Sequence, residues 1–197
     1  MTSSMKRPEI ETAARRMASV IAHVDTATLA DPTPCTHYTV AELLDHIDGF
    51  VGAFTAAGTR TQTGDGGPPS PGAASHLRAD WRIAVPEDLD ALVVAWQADD
   101  AYEGMLSAGG IEMPADSVAV VAIEELVVHG WDLARATGQA FECTPAELAV
   151  VDDFFSQFGP EQRGGAYGPA RAVGGSESHL DRVIAESGRD PAWSATR

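Results

Sequence analysis

EELVVHGWDLARATG, residues 124–138, sets Glu125, His129 and Asp132 at i, i+4 and i+7 in a segment that is otherwise mostly apolar. A helix returns to the same face every 3.6 residues, so these three side chains fall on one stripe. Val118, Val120, Val121, Ile123, Leu126, Val127, Val128, Trp131 and Leu133 surround them with apolar positions. Glu124, one residue earlier, is turned by about 100° and is expected to face elsewhere. The helix is expected to start near Asp116 and to close at Gly138 in a left-handed cap.

Outward from this segment the periodicities are helical. Residues 7–30 carry Ile10, Ala13, Ala14, Met17, Val20, Ile21 and Val24 at spacings of three and four, ending before Pro32 and Pro34. Thr39 and Glu42 form a capping-box pattern ahead of Val40, Leu43, Leu44, Ile47, Phe50, Val51 and Phe54, a second helix ending near Gly58. Residues 58–72 are a Gly/Pro/Thr loop, a flexible excursion or a lid. A helical stretch starts near Ala73 and is interrupted by Pro86. It resumes from Glu87 to about Leu106, with Leu89, Leu92, Val93 and Trp96 on one face. Gly109 and Gly110 end it, and Ile111–Pro114 form an extended link. Thr144-Pro145 starts a helix carrying Leu148, Val151, Phe154 and Phe155, and a short helix spans about Glu177 to Glu186. These elements predict an all-α fold, an up-down four-helix bundle with additional short helices. The domain expected is a single one over 1–197, with a C-terminal extension from 159 to 197.

The composition bounds the function. The chain has 197 residues, 44% hydrophobic and 21% charged, the profile of a soluble globular protein. A formal net charge of −16 argues against nucleic-acid or anionic-membrane partners. No apolar run reaches bilayer length, and MTSSMKRPEIETAARRM lacks the apolar core of a secretory signal, so a cytoplasmic location is expected. Cys35 and Cys143 make no disulfide framework and no CxxC pair. Cys35 is read as a small buried or half-buried residue before a reactive thiol. No GxGxxG, GxxxxGK[ST] or GxSxG pattern supports nucleotide binding or a serine hydrolase.

Bundles build ligand and metal sites between facing helices. His46, at the edge of the second helix's apolar stripe, is placed to reach across to Glu125 and His129. Two imidazoles and a carboxylate are a common protein set for catalytic zinc, with one position left for water or substrate. Nickel, iron and manganese accept the same ligand types. Asp132 would orient His129 or accept from a bound water. The bland alternative is a polar helix face in water. His23, His37, His76 and His179 are read as surface or turn residues, and Trp96 and Trp131 as core.

TPCTHYTVAELLDHIDGF (33–50), EELVVHGWDLARATGQ (124–139) and GRDPAW (188–193) together resemble an actinobacterial-type metal-binding family. That family is related to the N-terminal domain of mycothiol-dependent maleylpyruvate isomerase, in the DinB-like/YfiT-like superfamily. The resemblance implies a DinB-like bundle with a divalent metal, zinc first, on His46, Glu125 and His129. It also implies a low-molecular-weight thiol of the mycothiol type, activated for transfer to, or isomerisation of, a small electrophilic substrate. A non-catalytic metal- or ligand-binding bundle is the alternative, and a homodimer is compatible with either. The isomerase carries a further C-terminal domain, whereas this chain ends soon after GRDPAW, so maleylpyruvate itself is not the expected substrate. Arg135, Arg163 and Arg171 are the local cations available to an anionic ligand.

Overall fold

The computed structural model describes residues 10–61, 70–108, 110–159, 163 and 167–195. Helix α1 spans Ile10–Ala22, α2 Val40–Gly58, α3 Trp81–Gln97, α4 Ala115–Ala136, α5 Pro145–Ser156 and α6 His179–Glu186. A hairpin of β1, Met105–Ala108, and β2, Ile111–Pro114, joins α3 to α4. No described helix is long and apolar enough to cross a membrane.

Helices α1 to α4 form a bundle in which α1 and α2 each pack against both α3 and α4. The first two helices therefore lie across the bundle from one another, and α4 has α2 as a direct neighbour. The core between them holds Met17, Ile21, Leu43, Leu44, Ile47, Leu89, Leu92, Ile123 and Leu126. Helix α5 packs on α4, and α6 on α5.

Local chemistry fixes most boundaries. The Thr39 N–H donates to Glu42 Oε2 at 2.8 Å, and the Thr39 hydroxyl accepts from the Glu42 N–H, which starts α2 as the capping pattern predicts. Thr144 and Glu147 repeat the device at α5. Glu147 also takes Arg16 at 2.7 Å, so the same carboxylate ties α5 to α1. Gly138 closes α4 with φ +72°, the left-handed cap expected of it.

Three expectations need correction. The first helix ends at Ala22, not near residue 30, and a single 3₁₀ turn at Thr26–Thr28 follows, capped by Asp25. Pro86 does not interrupt its helix: α3 runs through it from Trp81. An interior proline costs about 3 kcal/mol, and burial of Trp81, Val85, Leu89 and Leu92 around it offsets that cost. The helix also stops at Gln97 rather than near Leu106, because Leu106 turns inward on a strand of the hairpin. Of the 58–72 loop, residues 62–69 lie outside the described residues.

Candidate metal centre

Glu125 and His129 stand one turn apart on α4, and His46 faces them from α2. His129 Nε2 lies 3.2 Å and His46 Nε2 3.7 Å from the same oxygen, Glu125 Oε2. The two imidazole rings meet edge to face, with centroids 4.9 Å apart. One ligand atom from each of the three residues lies within 4.8 Å of the others. Four ligands around zinc at about 2.1 Å stand roughly 3.4 Å apart, so these spacings suit one shared cation.

Asp132 is fully buried (0% exposed) and receives His129 Nδ1 at 3.0 Å. That contact turns Nε2 toward Glu125. The stripe is not a solvent face, since His129 is only 8% exposed. Burial alone would lower the pKa of His129. Hydrogen bonds with Asp132 and Glu125 outweigh it and push the ring up to about 10. Burial would likewise raise the Glu125 carboxyl, but hydrogen bonds from His129 and His46 hold it well below the usual carboxylate range. The pocket therefore favours positive charge between its carboxylates.

Glu124 lies off the donor set, as its angle on the helix requires, yet it is 1% exposed. Burial and the Glu125 charge push it up to about 8, and the Tyr167 hydroxyl donates to its Oε2 at 2.8 Å. The raised pKa disfavours a further negative charge beside Glu125.

The walls come from the block around residue 38. Thr33 Oγ donates to the carbonyls of Cys35 and Tyr38, fixing that loop. Tyr38 stacks on His46 at 5.1 Å, and Phe50 closes on both imidazoles at 5.6 and 6.3 Å. Gly72 lies so close to α2 that an added Cβ would collide with the Glu42 carbonyl oxygen and stand 3.0 Å from His46 Cβ. The Ala73 N–H donates to Asp45 Oδ2 at 2.9 Å, pinning the same segment. Gly72→Ala is expected to lift residues 70–73 off His46 and destabilise the fold by about 1–3 kcal/mol. A urea-unfolding midpoint equal to wild type would contradict this close packing.

Cys35, His129 and Asp132 form a second group of possible ligand atoms, also within 4.8 Å. There Asp132 is already engaged by Arg189 at 3.0 Å, so a cation would have to share the carboxylate with a guanidinium. Among the described residues no Lys or Arg ion pair reaches Glu125, and the His46, Glu125, His129 group is the better fit. Cys35 is buried, consistent with the small-residue reading, and burial pushes the Cys143 thiol up to about 12. His23, His37 and His76 are exposed, and His179 opens α6 with Nε2 3.4 Å from Asp152. Trp96 and Trp131 are buried. Arg135, Arg163 and Arg171 are all committed to holding the C-terminal segment: Arg135 to the Pro191 carbonyl, Arg163 to Glu186, Arg171 to the Gly188 carbonyl.

The sequence of this chain matches the profile of the mycothiol maleylpyruvate isomerase N-terminal domain over residues 10–134, which takes in His46, Glu125, His129 and Asp132. The chain belongs to this family. Two Mycobacterium tuberculosis proteins, the uncharacterized MT0763 of strain CDC 1551 / Oshkosh and Rv0738 of strain ATCC 25618 / H37Rv, are each 31% identical over 147 residues. Each match covers 68% of this chain and 67% of the relative. A histidine-to-alanine mutant of mycothiol-dependent maleylpyruvate isomerase has a similar crystal structure, with a TM-score of 0.56 at 20% identity. The alignment covers 84% of this chain and 76% of that one. At that identity the likeness is one of fold, the DinB-like bundle expected from the sequence.

Nothing in the sequence assigned a role to Tyr38 or Arg189. Nor did the sequence place Phe50 or Tyr167 beside the centre, where the fold brings them. The local signal for Arg189 was a charged residue set between Gly188 and Asp190-Pro191.

Proposed function

We propose that this protein holds a divalent metal, zinc first, on His46, Glu125 and His129, and uses it with a low-molecular-weight thiol of the mycothiol type. The observation that carries the reading is the convergence of these three donors from α2 and α4 within 4.8 Å. Family membership supports the thiol, because the related isomerase is mycothiol-dependent. A metal of this kind, when bound, lowers the pKa of a coordinated thiol so that a thiolate is available at neutral pH.

The chain's own residues supply the rest. With His129 Nδ1 committed to Asp132, Nε2 beside Glu125 is the nitrogen left to take a ligand. Tyr38 and Phe50 wall the donor set with aromatic surface that limits water. A small electrophile that receives the thiol, or is isomerised by its addition and loss, is the substrate class. With Arg135, Arg163 and Arg171 committed elsewhere, a neutral or weakly charged electrophile suits the site better than a dianion.

Elemental analysis of tag-free protein should find close to one metal per chain. Saturating metal should raise the melting temperature, and a chelator should reverse the gain, since a ligand that binds only the folded state stabilises it. Loaded protein should then turn over a thiol with a generic electrophile. Metal without turnover would leave a non-catalytic binding protein. No metal after reconstitution with zinc, nickel and manganese would remove the proposal.

A further inference from the structure

Asp132 has two partners from different parts of the chain. His129 Nδ1 reaches Oδ2 at 3.0 Å from one turn away on α4. Arg189 reaches the same carboxylate from beyond α6, with Nη2 3.0 Å from Oδ2 and Nε 3.4 Å from Oδ1. The carboxylate is fully buried, and the Arg189 side chain is only 9% exposed. A buried ionised carboxylate needs a compensating charge. Arg189 provides it.

The chain holds Arg189 in place with unusual care. Its Nη1 donates to the Ser187 carbonyl at 3.2 Å, and its N–H to the Ile184 carbonyl at 3.2 Å. Gly188 turns the chain with φ +86°, and an added Cβ there would stand 2.8 Å from Gly168 Cα. Only glycine tolerates both demands. Arg171 Nε donates to the Gly188 carbonyl at 2.9 Å, and Arg135 Nη2 to the Pro191 carbonyl at 2.6 Å. The GRDP segment is thus fastened on both sides of Arg189.

We propose that Arg189 is a positioning residue of the metal centre: it holds the Asp132 carboxylate in place, so that His129, with Nδ1 committed to Asp132, presents Nε2 beside Glu125 and His46. This rests on the reading of those three residues as the metal ligands. The GRDPAW block, distant in sequence from the ligands, then belongs to the centre through Asp132.

Cobalt(II) titration followed by calorimetry and by the visible absorption of the loaded protein tests this, with circular dichroism to verify folding. Arg189→Met and Asp132→Asn are each expected to weaken cobalt binding by roughly 10–100-fold and to shift the absorption bands. The double variant should bind no more weakly than the worse single, because both act through one contact. Arg189→Lys keeps the charge but not the fork, and should fall between Arg189→Met and wild type. If Arg189→Met loses its helical signal, Arg189→Lys decides, and wild-type affinity in it overturns the proposal. Wild-type affinity and spectrum in a folded Arg189→Met, or additive losses in the double variant, overturn it too. A wild type that takes up no cobalt would instead sink the ligand assignment itself.

Discussion

His129→Ala is expected to yield folded protein without metal and without thiol-dependent turnover. His129 reaches both Glu125 and Asp132, at 3.2 and 3.0 Å. Its loss leaves Glu125 and His46 3.7 Å apart as an incomplete pair. The drop in metal affinity should exceed the roughly 10–100-fold loss typical of a residue that merely supports a ligand. The fold should survive. Asp132 keeps Arg189, alanine is a better helix former than histidine, and α4 is anchored by Val118, Ile123, Leu126 and Leu133. Side by side with wild type, metal per chain and the chelator effect on melting temperature read the result. The variant should melt at the same temperature with and without chelator. Full metal occupancy in His129→Ala, and equally in His46→Ala and Glu125→Ala, would defeat the ligand assignment.

The convergence of the three proposed donors was legible because helical spacing fixes which side chains share a face. Glu125, His129 and Asp132 needed only the 3.6-residue period, and His46 needed the further step that α2 and α4 are neighbours. Capping chemistry made Thr39 and Thr144 equally readable, since the box is local in sequence. What was not legible was decided by tertiary contact. Pro86 reads as a breaker until the burial of Val85 and Leu89 around it is known. Leu106 continues a helical pattern until the hairpin turns it inward. Glu124 reads from the sequence only as facing elsewhere, and its burial beside the Tyr167 hydroxyl, 43 residues away, is set by tertiary contact. Arg189 lies 57 residues from Asp132, and nothing in the local pattern of either joins them.

Asp132→Ala is expected to cost about 3–5 kcal/mol of stability, because it strands the Arg189 guanidinium in a nearly closed site. For a chain of this size that corresponds to a fall in melting temperature of roughly 6–20 °C. Burial penalises the charged guanidinium, and Asp132 more than offsets this, holding Arg189 above its ordinary range. Removing the carboxylate leaves only the penalty. His129 loses its Nδ1 partner at the same time, so metal binding should weaken together with the fold. The two effects separate in the double variant Asp132→Ala/Arg189→Met. Deleting both charges should recover much of the lost stability, since replacing a buried pair by apolar groups is often near neutral. It should not recover metal affinity, because His129 still lacks its orienting acceptor. Thermal unfolding of the apo proteins at fixed pH measures the first effect, and metal titration the second. A melting temperature within a degree or two of wild type for Asp132→Ala would mean that Arg189 reaches solvent, and the buried pair would not be what fastens residues 187–191 to α4.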